Sequence, residues 1–514
     1  MDFAARACAR ILADSATDPY GGFSPSIYET ARLVTFAPAL AGHEGRMAFL
    51  LAEQREDGGW GRPDSYGLLP TLSATEGLLT ELRRTGDLAL GLAAGRGLQA
   101  LYSRLSAADF TLPDTVAVEI LVPGLIADIN AQLPELLPGI STWRPLPDPP
   151  GSNPEVVRQL RAAVGQTTAM PPKLLHSLEV AGVAALGVPF ASAGEYGLGC
   201  SPAATAAWLG NAAMTTDQPG VRYLERVQAR HGGPVPVAAP LAVFEHAWIL
   251  STFLDAGVEV DVPPDIVDGL RSEFGESGVP GGAGLPPDAD DTASALHALS
   301  RLGEPELVDY LWPYQVDDHF ATYPDERTPS ITTNAHVLQA LAASDPAEHR
   351  VSKTMRRLTE WLCGQQHTDG SWSDKWHSSP YYATVSCVTA LADRDEGTAA
   401  VRKAVHWILD SQRGNGSWGR WQGTAEETAY AVRTLLRASN RPDAAVEQAA
   451  ARGCAFLLGS DGMKHPPLWH DKDLYAPGRI VAAELIAVLH LASANRRVWP
   501  LVAGWGAEQP ARSA

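Results

Sequence analysis

Polar residues followed by small and apolar ones recur along this chain, while the strict alternation of a half-buried strand is scarce. Four segments show the pattern: DADDTASAL (288–296), SITTNAHVL (330–338), YYATVSCV (381–388) and TAEETAYAV (424–432). Each reads as the start of a helix. Their threonines, Thr292, Thr333, Thr384 and Thr428, are spaced by 41, 51 and 44 residues, the period of a repeated helix pair. Similar pieces stand earlier, in PTLSATEGLL (70–79) and CSPAATAAWL (200–209), so the first half reads as a diverged copy of the second. A second repeat punctuates the helices: Gln54 to Trp60, Gln366 to Trp372 and Gln412 to Trp418 each place Gln and Trp six positions apart around a glycine turn. The spacing predicts a helix end whose free backbone groups Gln would bond and whose surface Trp would cover. Gly- and Pro-rich connectors such as GESGVPGGAGLPP (275–287) complete an all-α reading.

At 514 residues the chain exceeds one ordinary core and implies more than one domain. A net charge of -19 and a pI near 5.2 argue against a nucleic-acid surface, which needs clustered Lys and Arg. Mean hydropathy of -0.09 and the lack of a long apolar run argue against membrane insertion. The five cysteines are scattered without CxxC spacing, suggesting neither a disulfide framework nor a thiolate zinc site. Together with a start that lacks a basic, apolar leader, this predicts a cytoplasmic protein.

The densest chemistry is Asp288-Ala289-Asp290-Asp291, preceded by two prolines. The acids fall at an N-cap and first helical turn, where the helix dipole and free N–H groups lower a carboxyl pKa and strengthen the acid. A crowded neighbouring carboxylate can hold one proton in place. A strong, desolvated acid is what protonation of an alkene requires, since carbon is a poor base. Simple helix capping and magnesium ligation are the competing readings.

DADDTA resembles the DxDD motif of class II terpene cyclases, and the Gln-to-Trp turns resemble that superfamily's QW motifs. LLHSLE (174–179), SPAATA (201–206), FEHAW (244–248), SDKWHSSPYY (373–382) and TAEETAY (424–430) are similar, in the same order, to segments of class II diterpene cyclases of the copalyl diphosphate synthase type. The resemblance implies two α/α-barrel domains facing one cavity. A β domain would span 1–20 plus 272–514, with a γ domain at 21–271 between. It makes Asp290 the general acid, tuned by Asp288 and Asp291, and gives His336 the place of a residue bonded to that acid.

His176 of LLHSLE corresponds to a histidine that helps water take the final proton, but Val237 stands where that histidine's Asn partner would be. For the substrate diphosphate, accompanied by Mg²⁺, isolated bases are sought at Lys173, Lys375 and Lys472. No clear copy of the family's acidic magnesium motif is present, leaving Asp57 and Asp64 as guesses. Trp376, Tyr381, Tyr382, Trp421, Tyr430, Trp469 and Tyr475 are candidate cavity aromatics, able to stabilise a carbocation without trapping it.

The DDxxD motif of ionising cyclases is absent: Asp317-Asp318 is followed by His319-Phe320-Ala321. The diphosphate is therefore expected to be retained. The implied reaction takes geranylgeranyl diphosphate to a bicyclic labdane-type diphosphate, with ent-copalyl diphosphate the preferred product. Farnesyl diphosphate going to drimenyl diphosphate is the enzymatic alternative, and a non-catalytic helical-repeat scaffold the other.

Overall fold

A computed structural model describes residues 3–107, 110–136, 144–344, 348–438, 442–460 and 462–502. The outermost parts of the expected β domain, 1–2 and 503–514, lie outside them. The described residues are mainly helical, with two antiparallel ladders, Gln315–Val316 with His319–Phe320 and Trp469–His470 with Leu474–Tyr475.

The three glycine turns are built alike. Trp60, Trp372 and Trp418 are fully buried, and their indole Nε1 groups donate to the carbonyls of Leu50, Leu362 and Ile408 at 2.6, 2.9 and 2.8 Å. Each acceptor lies in the last turn of the preceding helix, so Trp satisfies the free helix end. Gln does something else. Gln54, Gln366 and Gln412 donate to the glycine carbonyl inside the turn and to Ala93, Ala400 and Ala449, each on the next outer helix. The glutamine thus pins the turn to its neighbour rather than closing the helix end. The threonines explain the longer period: Thr71, Thr384 and Thr428 accept from the Trp backbone N–H. Thr205 and Thr292 accept in the same way from Leu198 and Val279, where an apolar residue replaces Trp.

These turns organise two rings. The first runs α2 (Ile27–Phe36), α3 (Leu68–Thr85), α4 (Val118–Leu136), the 3₁₀ segment Leu178–Ala185 and α5 (Pro202–Leu209), which packs back on α2. The second runs α6 (Ala242–Asp255), α7 (Ala289–Arg301), α8 (Ile331–Ala343), α9 (Pro380–Leu391), α10 (Ala425–Ala438) and α11 (Gly478–Ala494), which closes on α6. Outer helices back both rings, and α1 (Phe3–Thr17) packs against α6 and α11. The architecture is therefore a pair of α/α barrels. Because α6 closes the second ring, Ala242–Ser272 packs with the helices that follow it. The boundary drawn from sequence at 272 falls after this helix pair. The physical reason is visible in α6, whose Val243, Ala247, Leu250 and Phe253 are buried in one apolar cluster with residues of α1, α9, α10 and α11.

Several inner helices begin at a side-chain cap: Ser26, Ser201, Asp288, Ser330 and Ser379 each accept from an N–H of the first turn. The rings are tied by the hairpin around Asp473, whose carboxylate accepts from Ile27 and Tyr28 N–H at 3.1 and 3.2 Å and so caps α2 from the other barrel. No helix among the described residues is long and apolar enough to cross a membrane.

Candidate active site

Asp288 opens α7 in extended conformation, its Oδ1 accepting from the Asp290 and Asp291 N–H groups at 2.9 and 2.8 Å. Its Oδ2 accepts from the Tyr323 hydroxyl at 3.2 Å. Asp291 Oδ1 is buried with no hydrogen-bond partner among the described residues. Burial, reinforced by the charge of Asp290, raises Asp288 to about 6; burial and the adjacent Asp288 charge raise Asp291 well above the carboxylate range. The stronger upward push falls on Asp291, which favours its protonated form. This corrects the expectation that the helix start would lower the cluster's pKa values: for these two acids, desolvation outweighs the dipole. Gly281 gives the pair room, since a Cβ there would stand 2.5 Å from Asp291 Oδ2.

Asp290 is placed differently. One turn into α8, His336 brings Nδ1 to 2.7 Å from Asp290 Oδ1. With Nδ1–H donating to Oδ1, a proton on the acid is confined to Oδ2, which has no hydrogen-bond partner among the described residues. The imidazole stands edge-on to Trp248 at 5.3 Å between ring centres, and the Trp248 indole donates to the Tyr382 hydroxyl at 2.9 Å. Tyr382 in turn packs on Trp469 at 4.7 Å and Tyr430 at 5.3 Å. A cavity of about 60 Å³ inside the second ring, lined by His336, Trp248, Tyr382, Tyr430 and Trp469, continues toward His297, Arg433 and Glu484.

The remaining predicted residues scatter. Trp376 faces Tyr323 at 6.4 Å and donates to Thr322 Oγ1, beside the acid turn. Tyr475 packs on Phe23 of the first half at 6.1 Å. Tyr381 turns outward onto Trp407 of an outer helix at 4.6 Å, because adjacent residues on a helix point about 100° apart; it is core, not cavity. Trp421 sits in the seam between barrels, against Tyr66 and under Arg62 and Arg420, away from His336's aromatic group.

The lysines also separate. Lys173 is exposed on a four-residue helical turn. Lys375 is ion-paired with Glu326, donates to Thr328 O at 2.9 Å and lies over Trp376 at 5.4 Å; burial lowers it to about 8. Lys472 is fully buried and bound by Glu29 at 2.6 Å, Glu179 at 2.8 Å and Ser201 Oγ at 2.8 Å. Its ammonium has three protons and three acceptors, so it serves the junction between barrels rather than an incoming diphosphate.

His176 sits at the same junction, with Nδ1 2.6 Å from Gly199 O and Nε2 3.0 Å from Asp471 Oδ1. Val237 is fully buried in the apolar core. Sequence reasoning missed Asp471, Tyr323 and Trp248. Only Trp248 carried a signal, lying four residues after Phe244 in FEHAW, the helical spacing that sets the two rings against each other, with Phe244 in turn on Trp469.

Paired all-α barrels that hold a largely enclosed carboxyl trio beside a wall of aromatic rings form the apparatus of an enzyme that protonates an alkene and shelters the resulting cation. Comparison with known proteins agrees. Residues 320–480 match the family model of the squalene-hopene cyclase C-terminal domain. The chain is 44% identical to an ent-copalyl diphosphate synthase of Streptomyces sp. (strain KO-3988), covering 95% of this chain and 96% of the relative. It is 41% identical to a labda-7,13-dienyl diphosphate synthase of Streptomyces clavuligerus, covering 95% and 92%. The solved ent-copalyl diphosphate synthase from Streptomyces platensis superposes with a TM-score of 0.89 at 43% identity, over 96% of this chain and all of that one. This chain belongs to the class II terpene cyclases, among the bacterial diterpene cyclases of the copalyl diphosphate synthase type. It is an enzyme, and the scaffold alternative falls.

Proposed function

We propose that this chain cyclises geranylgeranyl diphosphate to a bicyclic labdane-type diphosphate, ent-copalyl diphosphate, with the diphosphate retained. The observation that carries the acid assignment is the 2.7 Å contact between His336 Nδ1 and Asp290 Oδ1, which leaves one oxygen of one acid to carry a transferable proton. Asp290 Oδ2 gives that proton to the terminal alkene. The electron pair of the alkene forms the new C–H bond, and two neighbouring alkenes close the rings in turn. Asp288 and Asp291 hold the helix start that carries Asp290 and keep a further proton between them. Trp248, Tyr382, Tyr430 and Trp469 offer ring faces to the cation and no strong nucleophile.

Lys375, beside Trp376, is the candidate for the diphosphate end, and taking that role requires it to leave Glu326 and Thr328 O. Asp57 and Asp64 do not fit a metal: Asp57 is ion-paired with Arg55, and Asp64 accepts from Trp421 Nε1 at 2.8 Å and from Arg420 at 3.4 Å. Among the described residues no group of three His, Cys, Asp or Glu could hold one. Magnesium enters this proposal only as the companion of the substrate diphosphate, and no step runs through it.

The test is incubation of wild-type and Asp290→Ala protein with geranylgeranyl or farnesyl diphosphate and magnesium, then phosphatase treatment and mass spectrometry with chiral separation. The expected result is ent-copalol from geranylgeranyl diphosphate alone, absent in the variant. Drimenol from farnesyl diphosphate alone would replace the substrate assignment, and full activity of Asp290→Ala would remove the acid.

A further inference from the structure

The resemblance assigns His176 to the last deprotonation and leaves its partner missing. The geometry reverses the pair. Gly199 O and the Asp471 carboxylate, 2.6 and 3.0 Å from the two ring nitrogens, can only accept, so both nitrogens carry protons and the ring is an imidazolium. Burial is the largest influence and pushes its pKa down, but the charge and hydrogen bond of Asp471 together with the charge of Glu29 leave it above the ordinary histidine value. A ring in that state has no lone pair for another proton.

Asp471 does. Its Oδ1 accepts from His176 and from the Lys472 N–H at 2.6 Å, whereas Oδ2 has no hydrogen-bond partner among the described residues. Its side chain keeps 14% of its surface accessible despite the surrounding junction. Asp471 is also linked electrostatically to the acid cluster. Tyr323, bonded to Asp288, feels the charges of Asp288, Asp291 and Asp471 together, and Tyr475 feels those of Asp471 and Asp291. Both tyrosines thus sense the acid turn and the junction together.

We infer that Asp471 accepts the last proton and that His176 is the positioning residue that fixes its carboxylate. The C–H bond beside the cationic carbon breaks, its electron pair becomes the new alkene, and the proton passes to Asp471 Oδ2. Asp290 has given one proton and Asp471 has gained one, so exchange with water resets both. A carboxylate held by an imidazolium is a weak base, but a tertiary carbocation is acidic enough to need no stronger one.

This inference rests on the proposed cyclisation. It is tested by giving wild-type, Asp471→Asn, Asp471→Glu and His176→Gln proteins geranylgeranyl diphosphate in ¹⁸O-water and analysing the dephosphorylated products. Asn can still accept from Nε2–H but cannot take up the proton. The fraction of bicycles that leave with the new alkene should fall roughly tenfold or more in Asp471→Asn, in favour of ¹⁸O-hydroxylated or rearranged bicycles. Asp471→Glu should restore the alkene, and His176→Gln should change the fraction less than Asp471→Asn. An unchanged product ratio in Asp471→Asn, or a larger change in His176→Gln, overturns the inference. Should Asp471→Asn fail to fold, His176→Gln decides: retention of most of the alkene supports Asp471, and its loss overturns it. Wild-type protein that makes no bicycle at all would instead overturn the proposed function, because hydroxylated and alkene products share the same protonation.

Discussion

The junction between the barrels and the start of α7 both gather carboxyl groups out of water, and they are paired differently. At the junction, the carboxyls of Glu29, Glu179 and Asp471 meet two cations, Lys472 and His176, although burial still raises Glu29 to about 7. At the start of α7, the carboxyls of Asp288, Asp290 and Asp291 meet one imidazole, and His336 touches only Asp290. Buried charges that are paired and hydrogen-bonded hold a structure together, whereas carboxyls short of cations retain protons. The first arrangement joins two barrels. The second stores an acid. Both are costly to desolvate, and the difference lies in whether partners were supplied.

The largest expected effect breaks the better-paired region. Lys472→Met would strand Glu29 and Glu179, and should lower unfolding free energy by about 3–5 kcal/mol, read from the shift of the denaturant midpoint at constant slope. His336→Phe acts on the less well-paired region by removing the hydrogen bond that confines the proton of Asp290. It should reduce kcat by about 10–100-fold with little change in the denaturant midpoint, measured by product formation at saturating substrate.

Asp291→Asn sharpens the comparison, since the amide mimics the protonated acid without the tendency to ionise. It should raise stability by about 1–2 kcal/mol at neutral pH while reducing turnover. The pH dependence has a definite sign. Wild-type Asp291 keeps its proton in the folded state while the unfolded chain releases it above the ordinary carboxyl value, so the folded wild type loses stability as pH rises past about 4. The melting temperatures of variant and wild type should converge near pH 4 and diverge above it. The smallest effect is expected outside both regions: Gln366→Met removes two hydrogen bonds, to Gly370 O and Ala400 O, and should cost about 1–2 kcal/mol in thermal unfolding without altering products.

Much of this was legible before folding because local chemistry repeats. Threonine near a helix start, Gln six residues before Trp, and acids after two prolines each act within a few residues, so Thr384, Trp372 and Asp288 announced their positions by spacing alone. The sequence determined an all-α repeat, the helix that carries the acid, and the aromatic residues available to line a cavity. Tertiary structure decided the rest. It brought α6 into the second ring, turned Tyr381 outward while Tyr382 met Trp248, filled Lys472 with carboxylates, and set Asp471 against His176 across 295 positions of chain. No local pattern encodes such pairings, because a side chain's partner depends on which helices the rings make neighbours, and its charge state on how much water they exclude.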